Sequence, residues 1–144
     1  ARARRARARP ARGGASANGK YFPHDEFYDG ATREVIAAIA PEARQRAVVA
    51  CETPDLFAHY AQKAGRPDLT FVFLSDKVKV RELEEGDFVV LTSGRRYFSN
   101  DSYFEYLHGS KAAHSEIAMG AAVASEIYTL TPSTLKGMRS IADQ

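Results

Sequence analysis

Residues 47–74 read AVVACETPDLFAHYAQKAGRPDLTFVFL, and this stretch decides the fold. Residues 47–51 are a short, continuous, β-branched run, as expected of a strand covered on both faces. Thr53 stands at a helix N-cap. Pro54 fills the first helical position, where its missing N–H costs nothing, and Asp55 suits the positive end of the helix dipole. Leu56, Phe57, Tyr60, Ala61 and Ala64 then recur at helical spacing. Gly65 closes the helix and Pro67 keeps it from resuming. Residues 69–74 form a second apolar run. Strand, helix, strand with joints this short is a βαβ unit, so the two strands should be parallel.

Outward from this unit, the pattern extends in both directions. On the N-terminal side, Asp29 is positioned to cap a helix carrying Val35, Ile36 and Ile39, which ends before Pro41. On the C-terminal side, residues 75–86 are charged, with Val78, Val80 and Leu83 loosely spaced, and predict a connection with at most one helical turn. Residues 87–91 are a third strand. Gly94, Arg95 and Arg96 make a turn, and Ser99, Asn100 or Asp101 caps a helix carrying Tyr103, Phe104 and Leu107 that stops at Gly109. Residues 114–119 and 123–130 read as a hairpin hinged near Gly120. Residues 131–144 read as a frayed tail in which Leu135, Met138 and Ile141 form one weak turn. The expected fold is α/β and Rossmann-like: three layers, with a small, mostly parallel sheet finished by an antiparallel hairpin. Its domain should run over 21–130.

The chain has 144 residues and is 44% hydrophobic, enough for one core. Its net charge of +2 sums two unlike parts. Residues 1–20 hold seven basic residues and no acid, leaving a remainder with a net charge of −5. This arm of alternating Ala and Arg has no apolar core and reads as disordered. It is a solvated tail or cloning remnant, a juxtamembrane polybasic segment, or, last, an RNA-binding arm. No aromatic is interleaved with its arginines, and no nucleic-acid binding by the fold is expected. A signal-peptide core is missing, and no window reaches the length of a membrane span. The single Cys51 excludes an internal disulfide and sits in an apolar run, as a small buried hydrophobe does.

Chemistry is sparse. Ligands of open α/β sheets bind beyond the carboxyl ends of the strands. Here those ends offer Glu52 and Thr53, Ser75 and Asp76, and Thr92, Ser93 and Gly94. Arg95, Arg96 and Tyr97 follow at once, a guanidinium pair and an aromatic face suited to a phosphate or a sugar. Thr53, Ser93, Arg95, Arg96 and Tyr97 are therefore the candidate ligand-binding residues, against the plainer reading of caps and a solvated turn. Neither a dinucleotide fingerprint nor a phosphate loop is present, so no cofactor is expected. In Tyr21-Phe22-Pro23-His24-Asp25-Glu26-Phe27-Tyr28-Asp29, four aromatics sit beside three carboxylates and a histidine. As metal ligands, adjacent side chains diverge on an extended chain. His24, Asp25, Glu26, Tyr28 and Asp29 are thus expected to be structural, with no metal. His59 reads as a flank residue, and His108 and His114 have no nucleophile partner. No catalytic residue is expected.

Several segments together resemble the soluble C-terminal domain of bacterial membrane glycosyltransferases of the protein-mannosyltransferase type. They are residues 21–29 with a following helix bearing Arg33 and Glu34, residues 47–55 with Tyr60, and Gly65-Arg66-Pro67-Asp68-Leu69. Then come residues 87–91, Gly94-Arg95-Arg96-Tyr97, and Glu126-Ile127-Tyr128. The resemblance rests on their order and spacing over most of residues 21–130. It implies a polytopic enzyme with polyprenyl-phosphate sugar donors, whose acidic catalytic residue lies in a loop between membrane helices. This domain would then sit on the extracytoplasmic face, with the membrane-embedded part of the same enzyme or the membrane surface as its partner, and help position donor or acceptor. The Arg-rich arm departs from that pattern, since dense arginines beside a span favour the cytoplasmic side. The rival expectations are a free-standing, cytoplasmic α/β binding module or small enzyme for a phosphorylated or sugar-like ligand, and an interaction domain using the helix around Tyr103 and Phe104.

Overall fold

A computed structural model describes residues 24–92, 100–110, 114–119 and 122–144, with the backbone alone for residues 24–30, His114, Met119 and Ala122. The elements in chain order are α1 (His24–Ile39), β1 (Val48–Cys51), α2 (Pro54–Lys63), β2 (Thr70–Phe73) and α3 (Lys77–Arg81). They continue with β3 (Phe88–Thr92), α4 (Asp101–Gly109), β4 (His114–Met119), β5 (Ala122–Thr129) and α5 (Pro132–Ala142). One five-stranded sheet has the order β2-β1-β3-β5-β4. β1 pairs in parallel with β2 and β3, and Val49 faces Phe71 on one side and Phe88 on the other. β5 is antiparallel to β3 and β4, and the β4–β5 register slips once, between Ile117 and Ala118.

The sheet divides the core in two. Val49, Cys51, Phe88, Val90 and Ile127 pack against Val35, Ile36 and Ile39 of α1 and Phe57 and Ala61 of α2. Ala50, Val89, Leu91, Tyr128 and Leu130 pack on the other side against Val80 of α3, Tyr103, Phe104 and Leu107 of α4, and Leu135 and Met138 of α5. Alternation along each strand thus feeds both layers, which is why β3 is buried at every position. The chain is a three-layer α/β fold with a parallel core and an antiparallel hairpin, as its pattern predicts.

Three local features carry the βαβ unit. Pro54 is at the first position of α2. At its other end Gly65 adopts φ +81°. Its N–H reaches Gln62 O at 3.1 Å and Arg66 N–H reaches Ala61 O at 2.9 Å, the paired bonds of a Schellman cap. Arg66 and Asp68 then lock the entry to β2. Arg66 donates to Asp68 Oδ1 at 3.0 Å, to Arg44 O at 3.1 Å and to Ala40 O. Asp68 Oδ2 accepts Arg46 N–H at 2.8 Å, holding that residue at φ +65°.

Two expectations are corrected. The first helix does not start at Asp29: it starts at His24 and runs through Gly30, so His24, Asp25, Glu26, Tyr28 and Asp29 lie on a helix rather than an extended chain. Asp25 and Glu26 suit a first turn, where carboxylates meet the positive end of the dipole, so acidic residues taken for a cap belong inside the helix. Residues 132–142 are not a frayed tail but a full helix. Thr131 and Thr134 cap it reciprocally: Thr131 N–H donates to Thr134 Oγ1 at 2.8 Å and Thr134 N–H donates to Thr131 Oγ1 at 3.3 Å. Gly137 lets α5 lie against Tyr106 of α4, where a Cβ would come within 2.0 Å of the ring. The compact domain therefore extends to Ala142.

Candidate ligand site at the carboxyl ends of the strands

β1 and β3 are parallel neighbours, but the chain leaves them toward opposite faces. After β1 it enters α2 in one helical layer, and the helix that follows β3 is α4 in the other. In doubly wound folds such a switch of direction is where ligands are held, beyond the carboxyl ends of the strands. The side chains that gather there are polar and deeply buried.

Glu52, directly after β1, is 2% exposed, and Asn100, at the N-cap of α4, is 1% exposed. Asn100 Nδ2 donates to Glu52 Oε2 at 3.0 Å. This bond ties the end of one parallel strand to the start of the helix that follows its neighbour. It also diverts Asn100 from capping, because its side chain makes no bond to the first turn of α4. Asn100 Oδ1 is buried and makes no hydrogen bond among the described residues. Thr92 and Ser125 face each other across β3 and β5, and their hydroxyls are likewise buried without partners among the described residues. By strand alternation they lie on the α1–α2 face and Glu52, with its partner Asn100, on the α4 face, so polar side chains stand on both sides of this end of the sheet. Folded proteins seldom leave such atoms unpaired, since each costs about 1–3 kcal/mol.

Thr53 occupies the N-cap of α2 with φ −135° and ψ 67°, and its side chain makes no capping bond. It is half-buried and follows Glu52 directly. Ser93, Arg95, Arg96 and Tyr97 lie outside the described residues. Asp76, at the end of the edge strand β2, caps α3 by accepting from Val78 N–H and Lys79 N–H at 3.1 and 3.2 Å. Among the described residues, Thr53 and Asn100 at these strand ends are helix N-caps whose side chains make no capping bond.

Other titratable groups are accounted for by structure. Burial pushes the Cys51 thiol up to about 12, so it remains a protonated small hydrophobe. Burial likewise raises the Tyr103 phenol, whose OH is also unpaired among the described residues. Tyr128 is pushed up to about 12 by burial and by the nearby Glu126 and Glu116. His108 Nε2 lies 2.5 Å from Glu126 Oε1, a pair that the sequence gives no means of finding across eighteen positions. No serine or cysteine is hydrogen-bonded to it among the described residues, so it has the form of a half-exposed hydrogen-bonded pair rather than of a nucleophile's base. His59 is exposed with its ring edge toward Tyr60. Among the described residues no cluster of three His, Cys, Asp or Glu could hold a metal, and no helix is long and apolar enough to cross a membrane.

The site therefore offers hydrogen-bond acceptors and one carboxylate in a buried setting, without an acid, base and nucleophile in mutual reach among the described residues. Its Glu52 and Thr53 are visible in the sequence as strand-end residues. Asn100 is visible only as a cap, and its bond to Glu52 spans 48 positions. No family model, curated protein or solved structure matches this chain.

Proposed function

We propose that this chain is a soluble accessory domain of a membrane glycosyltransferase that uses polyprenyl-phosphate sugar donors, and that it positions a sugar rather than transferring it. One observation carries the reading: Asn100 Oδ1, Thr92 Oγ1 and Ser125 Oγ are buried at the strand ends without donors among the described residues. A sugar is an array of hydroxyl donors, and a carboxamide oxygen and two hydroxyls are groups that receive them. Support also comes from the segments that resemble the enzyme family. Gly65-Arg66-Pro67-Asp68-Leu69 is a Schellman cap followed by an arginine–aspartate lock, so its spacing is kept by backbone geometry. In this reading the domain rests on the extracytoplasmic face, against the membrane part of the same enzyme.

The same unpaired oxygens also favour a second reading, a free-standing module for a sugar-like or phosphorylated ligand. Titrating the chain with a polyprenyl-phosphate sugar analogue, a sugar phosphate and a nucleotide, followed by amide NMR, tests both. Saturable shifts at Glu52, Thr53 and Asn100 with the sugar ligands, and no glycosyl transfer by the chain alone, are expected. Turnover of a glycosyl donor by this chain alone would contradict the accessory role. Membrane spans encoded immediately upstream in the same reading frame separate the first reading from the second.

A further inference from the structure

We propose that the groove between α1 and α2 is a second ligand site, one that takes the phosphate group of an organic phosphate. Arg33, Ile36 and Ala37 from α1, Tyr60 and Lys63 from α2, and Ala64 at its C-cap line a hollow of about 360 Å³. On each helix the three residues stand at i, i+3 and i+4, so each set presents one face to the other. Ile36 closes the floor, 2% exposed, while the short side chains of Ala37 and Ala64 leave the space open.

The cations of the domain differ in their partners, and Arg139 bonds two backbone oxygens. Arg44, Arg66 and Arg81 each meet a carboxylate. Arg33 and Lys63 meet none among the described residues. Instead both lie against one ring: the Arg33 guanidinium is 5.6 Å from the Tyr60 centroid and the Lys63 ammonium 6.0 Å. The ring attracts each cation through its negative face, yet the two cations repel each other. An anion seated between them removes that repulsion. Phosphate is the anion whose chemistry suits a guanidinium fork and an ammonium, and the half-buried Tyr60 ring offers an apolar face to its organic body. The domain outside the basic arm is net acidic, so this pair is a local reversal of sign rather than part of a general positive field. The groove lies on the outer helical layer and is independent of the strand-end site.

The test is amide NMR on the full chain at low ionic strength with three probes: inorganic phosphate, a hexose 1-phosphate, and phosphatidylcholine vesicles with or without phosphatidylglycerol. Saturable shifts at Arg33, Tyr60 and Lys63 are expected with the hexose phosphate, weakening as salt is raised. Perturbation of those amides only by vesicles containing phosphatidylglycerol also supports the site and assigns the phosphate to a lipid headgroup. The double substitution Arg33→Gln with Lys63→Gln should weaken binding roughly tenfold. Ala64→Leu, at the exposed C-cap of α2, should fill the groove and abolish binding without unfolding the domain. The proposal is overturned by no saturable response to any probe, by an equal response in the double variant, or by shifts confined to Glu52, Thr53 and Asn100. The last outcome would leave the strand-end site standing.

Discussion

The two ends of the sheet are built to different rules. At the amino end of β3, Asp87 is 1% exposed and each carboxylate oxygen is used. Oδ1 accepts Arg44 Nη2 at 2.7 Å and Val48 N–H at 2.9 Å, and Oδ2 accepts Glu84 N–H at 2.7 Å. Its backbone oxygen takes Leu130 N–H at 2.8 Å, which aligns β5 on β3. Thr131, one residue on, caps α5 from the same end. At the carboxyl end, Glu52 and Asn100 are equally buried, but the neighbouring Asn100 Oδ1, Thr92 Oγ1 and Ser125 Oγ are unpaired among the described residues, and Thr53 caps nothing. Burial is the same and satisfaction is not. The amino end is finished as structure, whereas the three oxygens at the carboxyl end, without partners among the described residues, are what the proposed ligand site would use.

The largest effect should come from the satisfied end. Asp87→Ala strands the N–H groups of Val48 and Glu84 and frees Arg44, and should lower stability by about 3 kcal/mol in urea unfolding. A loss below about 1 kcal/mol would remove the contrast between the ends. Next come the two Thr-Pro helix starts. Thr131→Ala deletes a reciprocal cap and should cost about 1 kcal/mol, while Thr53→Ala deletes none and should cost only a few tenths. Equal losses would mean that the two threonines do the same work.

A smaller effect concerns acid. Hydrogen bonds from Arg66, then from Arg46 N–H, hold the Asp68 carboxyl well below the usual carboxylate range. Its folded pKa lies below its unfolded value of roughly 3.9, so its stabilisation is complete above that value and is lost as pH falls toward the folded pKa. Asp68→Asn should therefore be less stable than the parent at about pH 6, and the gap should narrow toward about pH 2. A gap independent of pH would show that the Arg66–Asp68 lock acts through shape alone.

The βαβ unit was legible because its punctuation is local: Pro54 starts a helix, Gly65 ends it, and the strands on either side are apolar throughout. The start of α1 was not, because Asp25, Glu26 and Asp29 each suit either a cap or a first turn, and Gly30 looks like a boundary from sequence alone. α5 was missed although Thr131-Pro132 repeats the signal of Thr53-Pro54. Its apolar residues are few, and Gly137 lowers helix propensity for a reason visible only where Tyr106 packs on it. At the candidate site, Glu52 could be read from its place after a strand. Its link to Asn100, and the meeting of Arg33 with Lys63 on Tyr60, depend on elements far apart in the chain, and no spacing rule reaches them.

The central claim is that the carboxyl end of β3 retains buried polar atoms at a cost in stability. The most direct measurement is the urea midpoint of the double variant Thr92→Val with Ser125→Ala. These changes remove two hydroxyls that are unpaired among the described residues and keep nearly the same volume. The account predicts a midpoint raised by the equivalent of about 1 kcal/mol. A lowered midpoint would mean that these hydroxyls are satisfied structural groups, and would contradict it.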